Sequence, residues 1–380
     1  MSHPTSKRIN HHGLRSKRGF SLVELMIAIA LGLTIMAALM TLFVNLSRNN
    51  KELAKTNILI ENGRFTIQLL ESDLVHAGFW GGYIPDFDDL TTTTAPGDTP
   101  TAIPDPCLTY STANWNSAYK TNLIGIPVQS YDTAAVCTSL LVNKLADTDV
   151  LVVRHVNTCV PGETNCEADT SGELYFQSTN CTASPDPYVL DTSGYTLTNR
   201  DCTTVADKRK FISHIYYIRD YASTVGDGTP TLMRSEFSLS ASTLAHQAAV
   251  PLIEGVEGFR VEFGIDSLSK TGAAVDYSAA VAWTDISNKH TPTNRGDGAA
   301  DGAFVRCTTA SPCTAAQLTN VVAAKLYVLA RAPQFSTGYT DSKTYTLGGT
   351  TLGPFNDSFK RHVFSTTVRL NNISGRRETP

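Results

Sequence analysis

The stretch that decides the fold of this chain reads Arg18-Gly19-Phe20-Ser21-Leu22-Val23-Glu24-Leu25-Met26. A basic segment ends at a glycine, an aromatic residue follows, and one carboxylate stands at the start of a long apolar run. Residues 25–47 are 23 consecutive uncharged positions, about 34 Å of helix at roughly 1.5 Å per residue, enough to cross a bilayer core. An unpaired carboxylate at the mouth of such a span costs on the order of 2–3 kcal/mol. Glu24 therefore needs a reason to be there.

Two ordinary targeting segments explain this pattern less well. A secretory signal peptide is cut after its apolar core at small residues, whereas this run ends in Leu42-Phe43-Val44-Asn45-Leu46-Ser47, a poor peptidase site. A plain signal anchor explains the basic flank and the span equally well. It does not explain a carboxylate five residues after Gly19, or the Gly19–Phe20 junction at the membrane face.

The same residues resemble the processing site and first helix of type IV pilins and of type II secretion pseudopilins. The resemblance implies that residues 1–19 are a prepilin leader, which an inner-membrane prepilin peptidase removes by cutting after Gly19. It implies that the same enzyme methylates the new amine of Phe20, and that Glu24 is an assembly contact to the amino terminus of a neighbouring subunit. The carboxylate and the amine attract each other strongly in a low-dielectric helix bundle, where burying either charge alone is energetically costly. Their pairing would therefore favour one register between neighbouring helices.

The helix is expected to continue beyond the membrane. Leu46, Leu53, Ile60, Ile67 and Leu74 recur every seven residues, and Leu70 and Ala77 join them at the end. This stripe predicts one face of an amphipathic helix, and Gly78 is a suitable stop. We therefore expect a transmembrane, filament-core helix over residues 20–47 and an amphipathic extension of the same helix over 48–78.

A narrower resemblance rests on three further stretches. They are Glu61-Asn62-Gly63-Arg64-Phe65 with its continuation to Gly81, Val256-Glu257-Gly258-Phe259-Arg260-Val261, and residues 362–370. They resemble the PilW family of minor pilins, which is related to pseudopilin J, and the match is weak between about 85 and 250. Asn62 and Gly63 together cost a helix interior about 1 kcal/mol or somewhat more. They predict either a bend or a close helix contact at this point, or a helical turn of low intrinsic stability that the fold tolerates.

Residues 79–380 are expected to form a β-rich domain. Residues 150–153 are a short apolar run, 211–217 mix β-branched and aromatic residues, and 259–265, 322–328 and 364–370 alternate with a period of two. These stretches predict half-buried antiparallel strands that the long helix covers. Residues 85–210 are interpreted as a loop-rich, cysteine-rich insertion, in which 85–149 is surface loop held by Cys107 and Cys137. The predicted fold class is α+β and pilin-like: a long N-terminal helix, half transmembrane, packed on an antiparallel sheet domain with disulfide-stapled loops.

Charge and cysteine content indicate the compartment. The leader contains five basic residues and no acidic one, so the positive-inside rule keeps it cytoplasmic and makes the C-terminal domain periplasmic. Removing these five of the 31 basic residues leaves 26 against 35 acidic residues, a formal charge of −9, which argues against direct nucleic-acid binding. The chain has eight cysteines, which fit an oxidising compartment. They are the disulfide candidates Cys107, Cys137, Cys159, Cys166, Cys181, Cys202, Cys307 and Cys313. Sequence alone cannot choose among the 105 possible pairings. The simplest pairing for Cys307 and Cys313 is a disulfide bond that closes one loop, and pairing of the other six cysteines as near neighbours is a weaker prediction.

The sequence contains none of the motifs that would indicate an enzyme or a cofactor. It has no phosphate loop, no H-E-x-x-H pair and no G-x-S-x-G elbow, and its histidines show no metal-ligand spacing. We therefore expect no catalytic, cofactor-binding or metal site. Arg295-Gly296-Asp297 is the sequence of an integrin-binding tripeptide. A match of only three residues often arises by chance, so host adhesion through it is not favoured. Asp297 and Asp301 resemble a loose calcium loop, but the closing Glu is absent, so a flexible turn is favoured.

The resemblance implies a minor pilin that helps initiate a type IV pilus and sits near its tip, supporting twitching motility and adhesion. Its implied partners are the prepilin peptidase, other minor pilins, the major pilin, the inner-membrane assembly platform and a tip adhesin. The protein would lie in the inner membrane before assembly and at the pilus tip on the cell surface afterwards. Two alternatives stay open. One is a minor pseudopilin of a type II secretion system, and the other is an adhesin with its own ligand, bound by residues 85–210.

Overall fold

The computed structural model describes residues 19–379, which belong to two compact units, residues 1–54 and residues 55–380. Helix α1 (Leu22–His76) is 55 residues long. It ends where the sequence predicts, since Gly78 has a φ of +74° and its amide donates to the carbonyl of Arg154, a backbone conformation that glycine adopts without strain. The other helices are short: α2 (Ser117–Gly125), α3 (Ala315–Thr319) and α4 (Asn371–Arg377).

The strands of the second unit follow in chain order. They are β1 (Val128–Tyr131), β2 (Val150–Val156), β3 (Tyr175–Ser178), β4 (Tyr188–Asp191), β5 (Lys208–Arg219), β6 (Thr231–Ser240), β7 (Thr243–His246), β8 (Val250–Glu254), β9 (Val256–Ile265), β10 (Val321–Arg331), β11 (Tyr345–Leu347), β12 (Thr350–Leu352) and β13 (Arg361–Arg369). All five stretches predicted as strands lie in or overlap these strands, which confirms the strand predictions.

Three antiparallel sheets result. The largest has eight strands, in which β5 pairs with β2, β3 and β6, while β1, β4, β7 and β8 extend it. A second sheet has the order β13-β10-β9, and β11 pairs with β12. In the three-stranded sheet Leu326 lies opposite Val261 on one side and Thr366 on the other. These pairs place the predicted apolar positions of the strands on one face.

That face packs against the C-terminal half of α1, as predicted. Leu70, Leu74 and Ala77 share one core with Phe259 and Val261 of β9, and all five are fully buried. The core continues into the large sheet through residues of β2, β5 and β6. A second core is aromatic and contains Trp80, Trp115, Phe176, Phe211 and Phe237. The α+β fold with a long N-terminal helix and antiparallel sheets is therefore confirmed.

The predicted seven-residue stripe on α1 is wrong in its first half. Leu53 and Ile60 are exposed, and the buried positions of the helix are Leu59, Gly63, Thr66, Leu70 and Leu74. A strict heptad repeat drifts by about 20° per seven residues around a straight helix. The packed face therefore coincides with the predicted stripe near Leu74 and departs from it further back.

Asn62 and Gly63 lie in the middle of α1 and make a close contact with sheet strands rather than with another helix. The Asn62 side chain donates to the carbonyl of Glu254 at 3.0 Å, and Gly63 lies against Phe364 of β13. The poor helix formers are thus explained by the approach of the sheet.

Residues 85–210 form less of a loop region than predicted. They contain α2 and the strands β1 to β4, and β2 pairs with both β1 and β5. Trp115, Leu123 and Ile124 are buried in the aromatic core. The region is therefore part of the domain's framework, and the prediction of a surface loop without a core is wrong for much of 85–149.

Four disulfide bonds join cysteines that are neighbours in sequence: Cys107–Cys137, Cys159–Cys166, Cys181–Cys202 and Cys307–Cys313. Among the described residues no cysteine is free. The first bond closes the longest loop, with a sequence separation of 30, and the last closes the shortest, with a separation of 6.

Candidate assembly site

The residues that precede α1 are exposed. The side chain of Phe20 is 88% exposed, and no heavy atom lies within 4 Å of the position that a Cβ would occupy at Gly19. The described residues therefore leave the bond between Gly19 and Phe20 uncovered.

Glu24 has a local partner that the sequence analysis missed. Its carboxylate accepts a hydrogen bond from the backbone N–H of Ser21 at 2.9 Å, and the Ser21 hydroxyl accepts one from the N–H of Val23 at 3.3 Å. The Glu24 half of this arrangement is that of a capping box, while the Ser21 hydroxyl satisfies the amide of Val23 instead of that of Glu24, so two amides without helical partners are satisfied by side chains. The spacing Ser21-x-x-Glu24 is the sequence signal that could have revealed it.

The N-terminal part of α1 exposes its whole apolar surface. Every large apolar side chain from Leu25 to Leu46 is at least 44% exposed. Exposed apolar area costs about 25 cal/mol per Å² in water, so this segment needs lipid or other helices around it. Within residues 19–379, α1 is the one helix long and apolar enough to cross a membrane.

A polar cluster at the other end of α1 was not expected from the sequence. Asp73 lies near the end of the helix, His155 on β2 and His214 on β5. The carboxylate contacts His155 Nε2 at 3.0 Å and His214 Nδ1 at 2.9 Å. Burial raises the pKa of Asp73, but its contacts with the two histidine rings outweigh burial and hold that pKa far below its usual range. The histidines are therefore not all scattered, as the sequence analysis supposed.

The Arg295-Gly296-Asp297 tripeptide is not available to a receptor. Arg295 is 2% exposed, and its guanidinium donates to the carbonyls of Ala279 and Asn294 at 2.8 and 3.0 Å. The burial of Arg295 agrees with the prediction that the tripeptide matches an integrin-binding sequence by chance.

The two carboxylates of the loose calcium loop accept hydrogen bonds from backbone amides. Asp297 accepts from the N–H of Ala299 at 3.0 Å, which is the contact of a local turn. Asp301 accepts from the amides of Ser267 and Leu268 at 2.8 and 2.7 Å and so joins the loop to the segment that follows residue 265.

Comparison with known protein families finds two matches. The model described as type IV pilus-assembly protein W (PilW) matches residues 215–372, and the prokaryotic N-terminal methylation motif matches residues 14–40. This chain therefore carries a PilW domain and an N-terminal methylation motif. The matches confirm the resemblance drawn from residues 18–26, 256–261 and 362–370, whereas residues 61–81 lie outside both matched ranges.

Comparisons with individual proteins add little to this assignment. A search of curated proteins finds no match. Among solved structures, a type IV-like pilin from Thermus thermophilus is 12% identical, and the alignment covers 83% of this chain and 98% of that one, with a TM-score of 0.32. At so low a TM-score the likeness carries no further argument.

The two family matches cover different parts of the chain. The methylation motif contains Gly19, Phe20 and Glu24, together with residues 25–40 of the apolar segment. The PilW match begins within β5 and extends into α4, so that it includes the three-stranded sheet against which α1 packs. A pilus-related role follows from the family. The function of each N-terminal residue is a separate proposal.

Proposed function

We propose that this protein is a minor pilin that helps initiate assembly of a type IV pilus, sits near its tip and supports twitching motility and adhesion. The observation that carries the proposal is the presence of a methylation motif and a PilW domain in one chain. The uncovered apolar surface between Leu25 and Leu46 supports it, because a filament core of packed helices would bury that surface.

The proposal assigns four parts to the chain. Residues 1–19 are a leader that prepilin peptidase removes, 20–47 cross the membrane and later enter the filament core, 48–78 extend the helix, and 79–380 are the periplasmic domain. Four disulfide bonds support an oxidising compartment for that domain. The leader, with its basic residues, stays in the cytoplasm.

Glu24 has two roles in this proposal. In the single chain its carboxylate caps α1 through the amide of Ser21. In the filament it pairs with the methylated amine of Phe20 of a neighbouring subunit, in a medium where an uncompensated charge is costly. A glutamine at position 24 could keep the cap but not the ion pair, which separates the two roles experimentally.

The pseudopilin alternative differs from this proposal in its partners. The PilW family description names pilus assembly, which favours the pilus. No specific observation favours a separate adhesin, and the one adhesion-like tripeptide is buried at Arg295.

A clean deletion of the gene tests the proposal. Surface pili and secreted enzymes are scored side by side in the deletion strain and in a strain complemented with the wild-type gene. The proposal predicts few or no pili with normal secretion, both restored by complementation. Normal piliation with lost secretion would contradict it and support a pseudopilin.

A further inference from the structure

The Asp73 cluster joins three elements of the domain in one small space. Asp73 lies near the C-terminal end of α1, His155 on the strand β2 and His214 on the neighbouring strand β5. One ligand atom from each lies within 4.8 Å of those from the other two. Their side chains are 9%, 11% and 12% exposed, so the cluster is shielded by protein but still open to solvent at one edge.

The ring of His155 lies between two hydrogen-bond acceptors. Its Nδ1 is 2.9 Å from the carbonyl oxygen of Val156, and its Nε2 is 3.0 Å from the carboxylate of Asp73. A carbonyl oxygen accepts only, so Nδ1 carries the hydrogen and the Nε2 of a neutral ring directs a lone pair at a carboxylate oxygen. That contact is repulsive unless a cation, either a second proton or a metal ion, lies between the two atoms.

We propose that Asp73, His155 and His214 bind a divalent transition-metal ion of the zinc type. Two imidazoles and one carboxylate are a donor set that zinc uses when a fourth position is left open. Ligand atoms that share a tetrahedral zinc ion at about 2.0–2.2 Å are about 3.3 Å apart. His155 Nε2 lies 3.0 Å from Oδ1 of Asp73, and His214 Nδ1 lies 2.9 Å from Oδ2. Each nitrogen thus faces its own carboxylate oxygen, and an ion held by both oxygens requires these contacts to open by only a few tenths of an ångström.

The surroundings of the cluster match those of metal-bound histidines. Such a histidine usually donates its other ring N–H to a carbonyl or carboxylate, as His155 does toward Val156. The hydroxyl of Tyr216 donates to Asp73 Oδ2, the oxygen that His214 also contacts, at 3.0 Å and would orient that ligand. The ion would tie the end of α1 to the large sheet, so its structural effect is to fix the helix on the domain.

Metal content of the full chain tests the proposal directly. The untagged chain is purified in detergent, dialysed against zinc and then against metal-free buffer, and its zinc is counted by mass spectrometry. We expect one zinc ion per wild-type chain. The zinc affinity should fall by about 100-fold or more in His155→Gln and in His214→Gln, and by roughly 10- to 100-fold in Tyr216→Phe. The matched control is His362→Gln on β13, whose side chain is exposed and which should bind as the wild type does. A wild-type chain without zinc, or His155→Gln and His214→Gln variants that retain it, would overturn the proposal.

A second measurement needs no variant and so covers any that fails to fold. X-ray absorption of the zinc-loaded wild-type chain should show two imidazole nitrogens at about 2.0 Å. A spectrum with oxygen ligands alone would refute the site. Nitrogen NMR of the metal-free chain gives a further test. If both ring nitrogens of His155 carry a proton and added zinc leaves that signal unchanged, the cation is a proton and the metal site is refuted.

Discussion

Gly63 of α1 lies directly against the ring of Phe364 on β13: a Cβ placed on Gly63 would come within 2.1 Å of the ring atom Cε2 and 2.4 Å of Cδ2. No real Cβ tolerates such distances, so the helix and the sheet approach each other here only because position 63 lacks a side chain. Phe364 also packs beside Leu59, Ala330 and Ala332. Moving the ring aside would give up those contacts.

Gly63→Ala should therefore destabilise the domain. An alanine at an interior helix position ordinarily stabilises by about 1 kcal/mol over glycine, while overpacking costs about 1–3 kcal/mol. We expect a net loss of about 1 kcal/mol in denaturant unfolding of the full chain in detergent. The matched control is Gly375→Ala in α4, where no heavy atom lies within 4 Å of the new Cβ, and which should be neutral or stabilising. A Gly63→Ala chain as stable as the wild type would show that the ring moves freely.

Acid should destabilise the domain through His246. Burial, helped by the charge of Arg154, lowers the pKa of His246 to about 3, whereas the unfolded chain has the ordinary value of about 6.5. Below about pH 6.5 His246 therefore binds a proton in the unfolded state but not in the folded state. The free energy of unfolding falls as the pH falls from about 6.5 toward 4. His246→Asn should flatten this slope, and the exposed His290→Gln should not. Equal slopes in all three chains would rule out His246 as the cause.

The Gly19–Phe20 junction should be the processing site. Gly19→Val places a branched side chain where the peptidase must accept a small one, while the chain itself has room for it. The variant should therefore fold normally but keep its leader, and Gly19→Ala should be affected less. Mass spectrometry of the wild-type N-terminus should find methylated Phe20. A mature chain that begins at another residue, or efficient cleavage of Gly19→Val, is incompatible with the assignment.

The longest disulfide loop should stabilise the domain most. In the chain-entropy description a bond is worth more when it closes a longer loop, so replacing Cys107 and Cys137 by alanine should cost about 1 kcal/mol more than replacing Cys307 and Cys313. Denaturant unfolding of the two double variants measures the difference. Thiol labelling of the unreduced, denatured wild-type chain should find no free thiol. Labelling of most cysteines would mean that the four bonds do not form in the cell.

The strands of the three-stranded sheet could be predicted from sequence because one face is buried. Phe259, Val261 and Phe263 alternate with polar residues, and the period of two is visible without any tertiary information. The apolar run of α1 was equally clear, since its composition alone requires a membrane or a bundle. In both cases a local pattern reports burial directly.

The packed face of α1 could not be predicted, because Gly63 and Thr66 are buried while Leu53 and Ile60 are exposed. A glycine at a close approach looks like a poor helix position until the opposing ring is known. The cluster of Asp73 with His155 and His214 joins residues 82 and 141 positions apart. Only the pairing of β2 with β5 and the docking of α1 bring them together.

We propose that the N-terminal segment assembles into a pilus through Glu24, and the amount of this protein in sheared pili measures that assembly. Glu24→Gln keeps an acceptor for the Ser21 amide but has no charge for a neighbour's Phe20 amine. The control Ser21→Ala removes the hydroxyl of the cap and keeps the carboxylate. Immunoblots should find both variants processed and in the membrane, with Ser21→Ala present in sheared pili and Glu24→Gln reduced at least about tenfold, the equivalent of 1.4 kcal/mol. Wild-type amounts of processed Glu24→Gln in the sheared pili would contradict the account.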